Sequence, residues 1–207
     1  QDPQTTAVNT RSLPVASYIK NIENDNWTKN YTWYDSLGRS IANYSINHLG
    51  GYTKAESLLD FAGMVQQTVT RHKRLNADPE KVVTQTFEYD SQNRLLVHKH
   101  QVDSNPVEIL AQNSYNAISQ LSNKKVGNNL QSIDYAYNIR GWMTRINDPS
   151  GLNGKLFGYE VKYTDPLNTS ATAKYNGNIA EVNWKTTNDG VYRRYNYTYD
   201  PLNRLLQ

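Results

Sequence analysis

The chain has no cysteine, which excludes disulfide staples, thiol catalysis and cysteine-ligated zinc together. It holds only 3 Phe and 2 Met among 207 residues, and Leu, Ile and Val are too sparse for a thick aliphatic core. No run of 18 apolar residues exists, so no helix is expected to span a membrane. No signal-peptide pattern is visible. Charge of either sign is also short. The net charge is +3, and the one basic run is Arg71-His72-Lys73-Arg74, which reads as a solvated strand or loop. Nucleic acid is therefore not an expected partner. A phosphate-cradling glycine loop and a nucleophile elbow are both missing, and no cofactor is expected. The chain starts at Gln1 without Met and stops at Gln207, directly after a repeat unit. Both ends read as cuts in a longer polypeptide.

What is present is tyrosine, 16 of them, with abundant Asn and Thr. Aromatic and β-branched residues favour strands. A mean hydropathy of -0.78 would suit disorder, but disordered chains lack aromatics and carry a large net charge. The tyrosines recur in one octet, written YDSLGRSI at 34–41, YDSQNRLL at 89–96 and YDPLNRLL at 199–206. Looser copies start at Leu59, Tyr115, Tyr137 and Tyr175, so seven units begin 25, 30, 26, 22, 38 and 24 residues apart. Repeats at such a period mark an array of stacked supersecondary units. The long step carries NDPSGLNGKLFG (147–158), read as an inserted loop.

The octet has a physical reading. Asp35, Asp60, Asp90 and Asp200, or Asn in their place, start a turn by bonding the backbone two residues on. The fifth position, Gly38, Gly63, Asn93, Gly141 and Asn203, suits positive φ. Ser119 and Ile179 depart from that rule, and their turns are expected to be built differently. Tyr34, Tyr89 and Tyr199 would sit at a strand end, ring inward and hydroxyl on a polar partner, while Tyr115, Tyr137 and Tyr175 hold the motif position in looser units. Arg39, Arg94 and Arg204 lie four residues after their Asp, and stacked turns would bring the Arg of one near the Asp of its neighbour. Flanks such as TQTFEYD (84–90) and RRYNYTYD (193–200) alternate in period two. Second turns are expected at VDSNP, VGNN and TNDG. Weak helical spacing at Lys54–Gln67 is broken by Gly63 and reads as strand. The expected organisation is a lead-in strand or linker over 1–30, with no repeat before residue 28, and an all-β array over 31–207.

These octets, with IDYAYNIRGW (133–142), HKR (72–74) and YNGNIAEVNWKT (175–186), resemble the YD-repeat or Rhs-repeat family, most closely the secreted Rhs-type proteins of Bacteroidetes. The resemblance implies an antiparallel hairpin strip that spirals as an arc of a hollow β-shell. It implies a bacterial, secreted or cell-surface location. The partners implied are the remainder of a longer polypeptide and its C-terminal toxin or effector cargo, with a secretion apparatus or a cell-surface glycan beyond them. NDPSGL (147–152) is similar to the Asp-Pro-x-Gly-Leu segment beside the self-cleavage site of Rhs cores. The surrounding motif is missing, and paired-carboxylate chemistry has only Asp148 nearby, with Asp165 far in sequence. His98 and His100 share a strand face, but no spacing supplies a third metal ligand. Sequons at Asn26, Asn30, Asn43, Asn168 and Asn196 fit the Asn- and Thr-rich composition. Two function classes follow: a non-catalytic wall segment enclosing a polypeptide, and a module that binds glycan or protein through Trp27, Trp33, Trp142 and Trp184.

Overall fold

A computed structural model describes residues 8–206. The chain divides into two compact units, one ending at Leu110 and one from Ala111. Among the described residues all regular structure is β, as the composition and the alternating flanks predict. The first unit holds β1 (Ala16–Lys20), β2 (Trp27–Tyr34), β3 (Ser40–Ile46), β4 (Gly50–Leu59), β5 (Val65–Leu75), β6 (Lys81–Tyr89) and β7 (Leu95–Val102). Strand β8 (Glu108–Tyr115) crosses the division. The second unit continues with β9 (Leu121–Val126), β10 (Gln131–Tyr137), β11 (Met143–Ile146), β12 (Phe157–Lys162), β13 (Glu181–Thr186) and β14 (Arg193–Asn196).

Within each unit every strand pairs antiparallel with its neighbours in chain order. Short connections make such a meander, because antiparallel strands need only a tight turn between them. Lys54–Gln67 falls in β4, the following turn and β5, so strand pairing overrides its weak helical period. Residues 16–20 form β1 on β2, with Ala16 opposite Tyr31 and Lys20 opposite Trp27.

Burial is thin. Buried apolar side chains in the first unit are Tyr34 and Ala42, and most strand residues are half-buried. The second unit holds more buried residues: apolar Leu152, Val161, Ala180 and Val182, with Asn147, Pro149, Glu181 and Asn183. The 147–156 segment folds down onto the sheet. Asn147 exchanges bonds with the backbone of Asp134 at 2.8 and 2.9 Å and donates to the Phe157 carbonyl at 2.7 Å. Gly158 faces the Pro149 backbone so closely that a Cβ there would lie 2.7 Å from the Pro149 nitrogen. A second long connection, 163–180, joins β12 to β13.

Candidate functional site

Alternate connections of a meander fall on the same edge of the sheet. The octet turns take every second connection: β2–β3, β4–β5 and β6–β7 in the first unit, and β8–β9 and β10–β11 in the second. Each closes the same way. In the first, the Asp35 N–H donates to the Arg39 carbonyl (2.9 Å) and the Gly38 N–H to the Asp35 carbonyl (3.0 Å). One Asp35 carboxylate oxygen accepts the N–H groups of Leu37 and Arg39, both at 2.9 Å, while the other accepts Arg39 Nε at 2.6 Å. Asp90 and Asp200 repeat the whole set, with Arg94 and Arg204 in place of Arg39. Asp60 lacks an Arg and is met instead by Gln66 Nε2 at 3.2 Å. Asn116 and Asn138 accept the same two N–H groups through their amide oxygens.

The residue before each Asp pairs with the residue six further on, as in Tyr34 with Ser40, Tyr89 with Leu95 and Tyr137 with Met143. The register shifts just before it in all five hairpins. Tyr199 bridges Leu205 with the same spacing. A bulge of this kind turns the strand end and re-aims a side chain. Here it sends the tyrosine across to the preceding turn. Tyr34 Oη donates to the Pro14 carbonyl at 2.7 Å, Tyr89 Oη to Val65 at 3.0 Å and Tyr199 Oη to Ile179 at 3.0 Å. Burial raises the pKa of Tyr89 and Tyr199.

Arginine works in the other direction. Arg39 Nη1 donates to the carbonyls of Asp60 and Phe61 in the next turn, each at 3.2 Å. The octet spacing predicts Arg against a neighbouring Asp side chain; Arg39 instead keeps its own Asp35 and reaches backbone carbonyls of the next turn. In the 138–142 turn Trp142 holds the Arg position. It packs against Tyr163 (ring centroids 5.0 Å apart) and under Gly177, while Arg140 Nη1 donates to the Tyr175 carbonyl at 2.6 Å. Arg140 also stacks over the Trp142 ring.

The fifth positions Gly38, Gly63, Asn93, Gly141 and Asn203 all have positive φ, between +59° and +90°. Ser119 does too, at +67°, so its turn is built like the others, contrary to the expectation from its residue type. Asn116 supplies the bonds that hold it there. Tyr115 and Tyr137 end β8 and β10, half-buried. Tyr175 lies exposed within the 163–180 connection and begins no hairpin of its own. Near it the positive φ falls at Gly177, not at Ile179.

Three features escaped sequence reasoning. Tyr163 takes the tyrosine role, donating to the Met143 carbonyl at 3.1 Å, although no Asp follows it. Asn47 builds the same turn on the opposite edge, accepting the N–H groups of Leu49 (2.9 Å) and Gly51 (3.0 Å). Its NHLGG spacing was the available signal. Near the chain start, Asn9 accepts the Arg11 N–H at 3.1 Å and Ser12 has φ +67°, so a related turn precedes β1.

Other chemistry is dispersed. His98 meets Gln85 and His100 meets Glu108. Among the described residues no group of three His, Asp or Glu side chains could hold a metal ion. Asp148 caps its own turn through the Ser150 hydroxyl and N–H, whereas Asp165 pairs with Lys162. A polar cleft of about 400 Å³ lies among Tyr137, Thr144, Glu160, Lys162 and Asp165, with Lys162 between the two carboxylates at 3.3 Å from each. On the first unit, rings of Tyr18, Tyr31, Tyr44 and Tyr52 contact in series at 5.9, 6.3 and 5.4 Å, with Trp33 tilted against Tyr31.

No family model and no curated protein matches the sequence. Among solved structures, the chain is similar to one titled "Crystal Structure of TcdB2-TccC3-Cdc42", with a TM-score of 0.44 and 10% identity. The match covers 92% of this chain and 12% of that one, so this chain spans about an eighth of its length. A likeness at that level carries neither fold nor function across.

Proposed function

We propose that the chain is a non-catalytic wall segment of a secreted bacterial YD/Rhs-type shell, an arc that encloses or presents a polypeptide held within a longer parent chain. One observation carries this reading. The turns led by Tyr34, Tyr89 and Tyr199 are tied to the turn before by a tyrosine hydroxyl, and Arg39 and Arg140 tie their turns to the one after by a guanidinium, so within each compact unit like turns are linked by polar backbone bonds. Polar backbone ties between turns set register and spacing, which is what a wall needs. The partners on this reading are the rest of the parent polypeptide, its C-terminal toxin or effector cargo and its secretion apparatus.

The test is the polypeptide from its source. The shell reading expects a mass several-fold above 23.7 kDa and a C-terminal segment that resists protease until denaturant opens the wall. A source polypeptide near 23.7 kDa, or a C-terminal segment cleaved as fast as unfolded chain, overturns it.

The tyrosine series on β1–β4 favours a second reading, a module binding glycan or protein on that face. Trp27 at its rim is 44% exposed, enough to report contact. Saturable quenching of tryptophan emission by a glycan supports the module; unresponsive emission removes it.

A further inference from the structure

The turn edge of the second unit is not charged like that of the first. In the 35–39 and 90–94 turns an Asp carboxylate and an Arg guanidinium pair at 2.6 Å. In the 116–120 and 138–142 turns Asn116 and Asn138 accept the same N–H groups through neutral amides, and neither turn contains an Asp or Glu. Each of these two turns carries an isoleucine. Ile118 is 72% exposed, and Ile139 is fully exposed.

The two turns are neighbours, since a Cβ on Gly141 would lie 3.4 Å from Gln120 Nε2. Two strand spacings, about 10 Å, separate them. The 163–180 connection lies on the same edge and adds exposed Leu167 and Tyr175, and the Tyr175 carbonyl accepts Arg140 Nη1. Arg140 lies over the Trp142 ring and Lys174 over the Tyr199 ring, and neither pairs with a carboxylate among the described residues. The carboxylates nearest in the chain are taken, Asp165 by Lys162 and Asp200 by Arg204.

We propose that this edge docks on the surface of an anionic lipid bilayer. Ile118 and Ile139 enter the boundary between headgroups and acyl chains as separate apolar knobs. Leu167 and the Tyr175 ring lie at headgroup level, and Arg140 and Lys174 meet lipid phosphates. Two features favour lipid over a protein partner. The isoleucines stand apart with polar turn atoms between them, whereas the core of a protein interface is contiguous and close-packed. The unpaired charge of the edge has one sign, which complements an anionic surface and draws the chain to it. The docking is independent of the wall reading and gives the chain a surface to lie on.

The test mixes the intact chain with vesicles of phosphatidylcholine and phosphatidylglycerol at low salt, and sedimentation separates bound from free. Saturable binding is expected. Vesicles of phosphatidylcholine alone should bind more weakly, by about fivefold for each of the two cations. Ile118→Ser and Ile139→Ser should each weaken binding about tenfold, the worth of a large apolar side chain taken out of water. Both side chains are exposed, so the variants keep the far-UV spectrum of the parent. Leu130→Ser, in an equally exposed leucine on the opposite edge of the same unit, should change nothing. No binding to the mixed vesicles overturns the proposal. So does binding that both isoleucine variants leave intact, or that Leu130→Ser weakens as much. A chain that ignores vesicles but self-associates, and loses that association with Ile139→Ser, makes the edge a protein contact and overturns the lipid assignment.

Discussion

The Tyr89 hydroxyl donates to the Val65 carbonyl at 3.0 Å, across 24 residues of chain and from one octet turn to the one before it. The bond is half-buried, and the ring is held by the bulge between Glu88 and Tyr89. Tyr89→Phe keeps the ring and removes only the donor, leaving a carbonyl short of its partner. The expected loss is about 1 kcal/mol, read as a shift of the denaturant midpoint at constant slope. Tyr175→Phe, in an exposed ring that begins no hairpin, is the control and is expected to change little. Equal effects of the two would remove the special role of the tyrosine tie.

Ser119 sits at φ +67°, where a residue with a Cβ other than Asn or Asp is disfavoured. Ser119→Asn should therefore stabilise the chain by a few tenths to about 1 kcal/mol. At Gly38, φ is +76°, and Gly38→Ala should cost about 1 kcal/mol even though the nearest atom to the new Cβ, Leu13 Cδ1, is 3.7 Å away. Thermal unfolding of the two variants in parallel checks both signs. A destabilising Ser119→Asn would mean that the hydroxyl, not the backbone, matters there.

The hairpin array was legible because Asp, Gly or Asn, and Arg have fixed jobs in one turn, and period-two flanks announce the strands. Tyr163 was not, because its function needs only a hydroxyl reaching the Met143 carbonyl, and no local motif encodes a contact 20 residues away. Only the fold shows Arg140 making the forward tie where Trp142 holds the Arg position. The second long connection hid behind Tyr175, which carries the octet letter without the octet hairpin. The buried Glu181 gave no signal either, since a carboxylate in a strand normally reads as solvent-facing.

Acid should loosen the turns. The Asp35, Asp90 and Asp200 carboxyls are held below the usual carboxylate value, first by the backbone N–H of the Arg four residues on. Desolvation opposes this, and the guanidinium reinforces it. Their folded pKa values thus lie under the unfolded one, and the folded chain binds fewer protons in that window. The stabilisation is fully present above the unfolded value of about 3.9 and is lost as pH falls through the folded values. Denaturant midpoints should hold steady from neutral pH to about 5 and then drop. A variant carrying Asn at all three positions should drop less steeply, because Asn116 and Asn138 already make the turn without a charge. Parallel acid limbs would refute the assignment.

Glu181 is the one fully buried carboxylate among the described residues, and it joins the 163–180 connection to the sheet. It accepts the Asn168 N–H and the Asn183 amide, each at 2.8 Å, and lies 3.3 Å from Arg194 Nε. Burial alone would raise its pKa. The Asn168 N–H, the Asn183 amide, the Leu167 N–H and the Arg194 charge together outweigh burial and hold it low. Glu181→Gln keeps the shape but weakens every one of these bonds and turns one amide hydrogen toward donors. It should cost about 2 kcal/mol, the scale of hydrogen bonds to a charged group. Arg194 is 36% exposed, so water can receive it, and the larger penalty of a stranded buried charge does not apply. Because Glu181 is depressed, its contribution is present at neutral pH and lost in acid, so Glu181→Gln should approach the parent's stability as pH falls. Hydrogen exchange at Asn168 and Lys174 locates the effect. Faster exchange at the Asn168 N–H, with the Lys174 N–H still protected on the Tyr163 carbonyl, means the clasp opens locally. If both amides stay as protected as in the parent, the carboxylate does not hold the connection down.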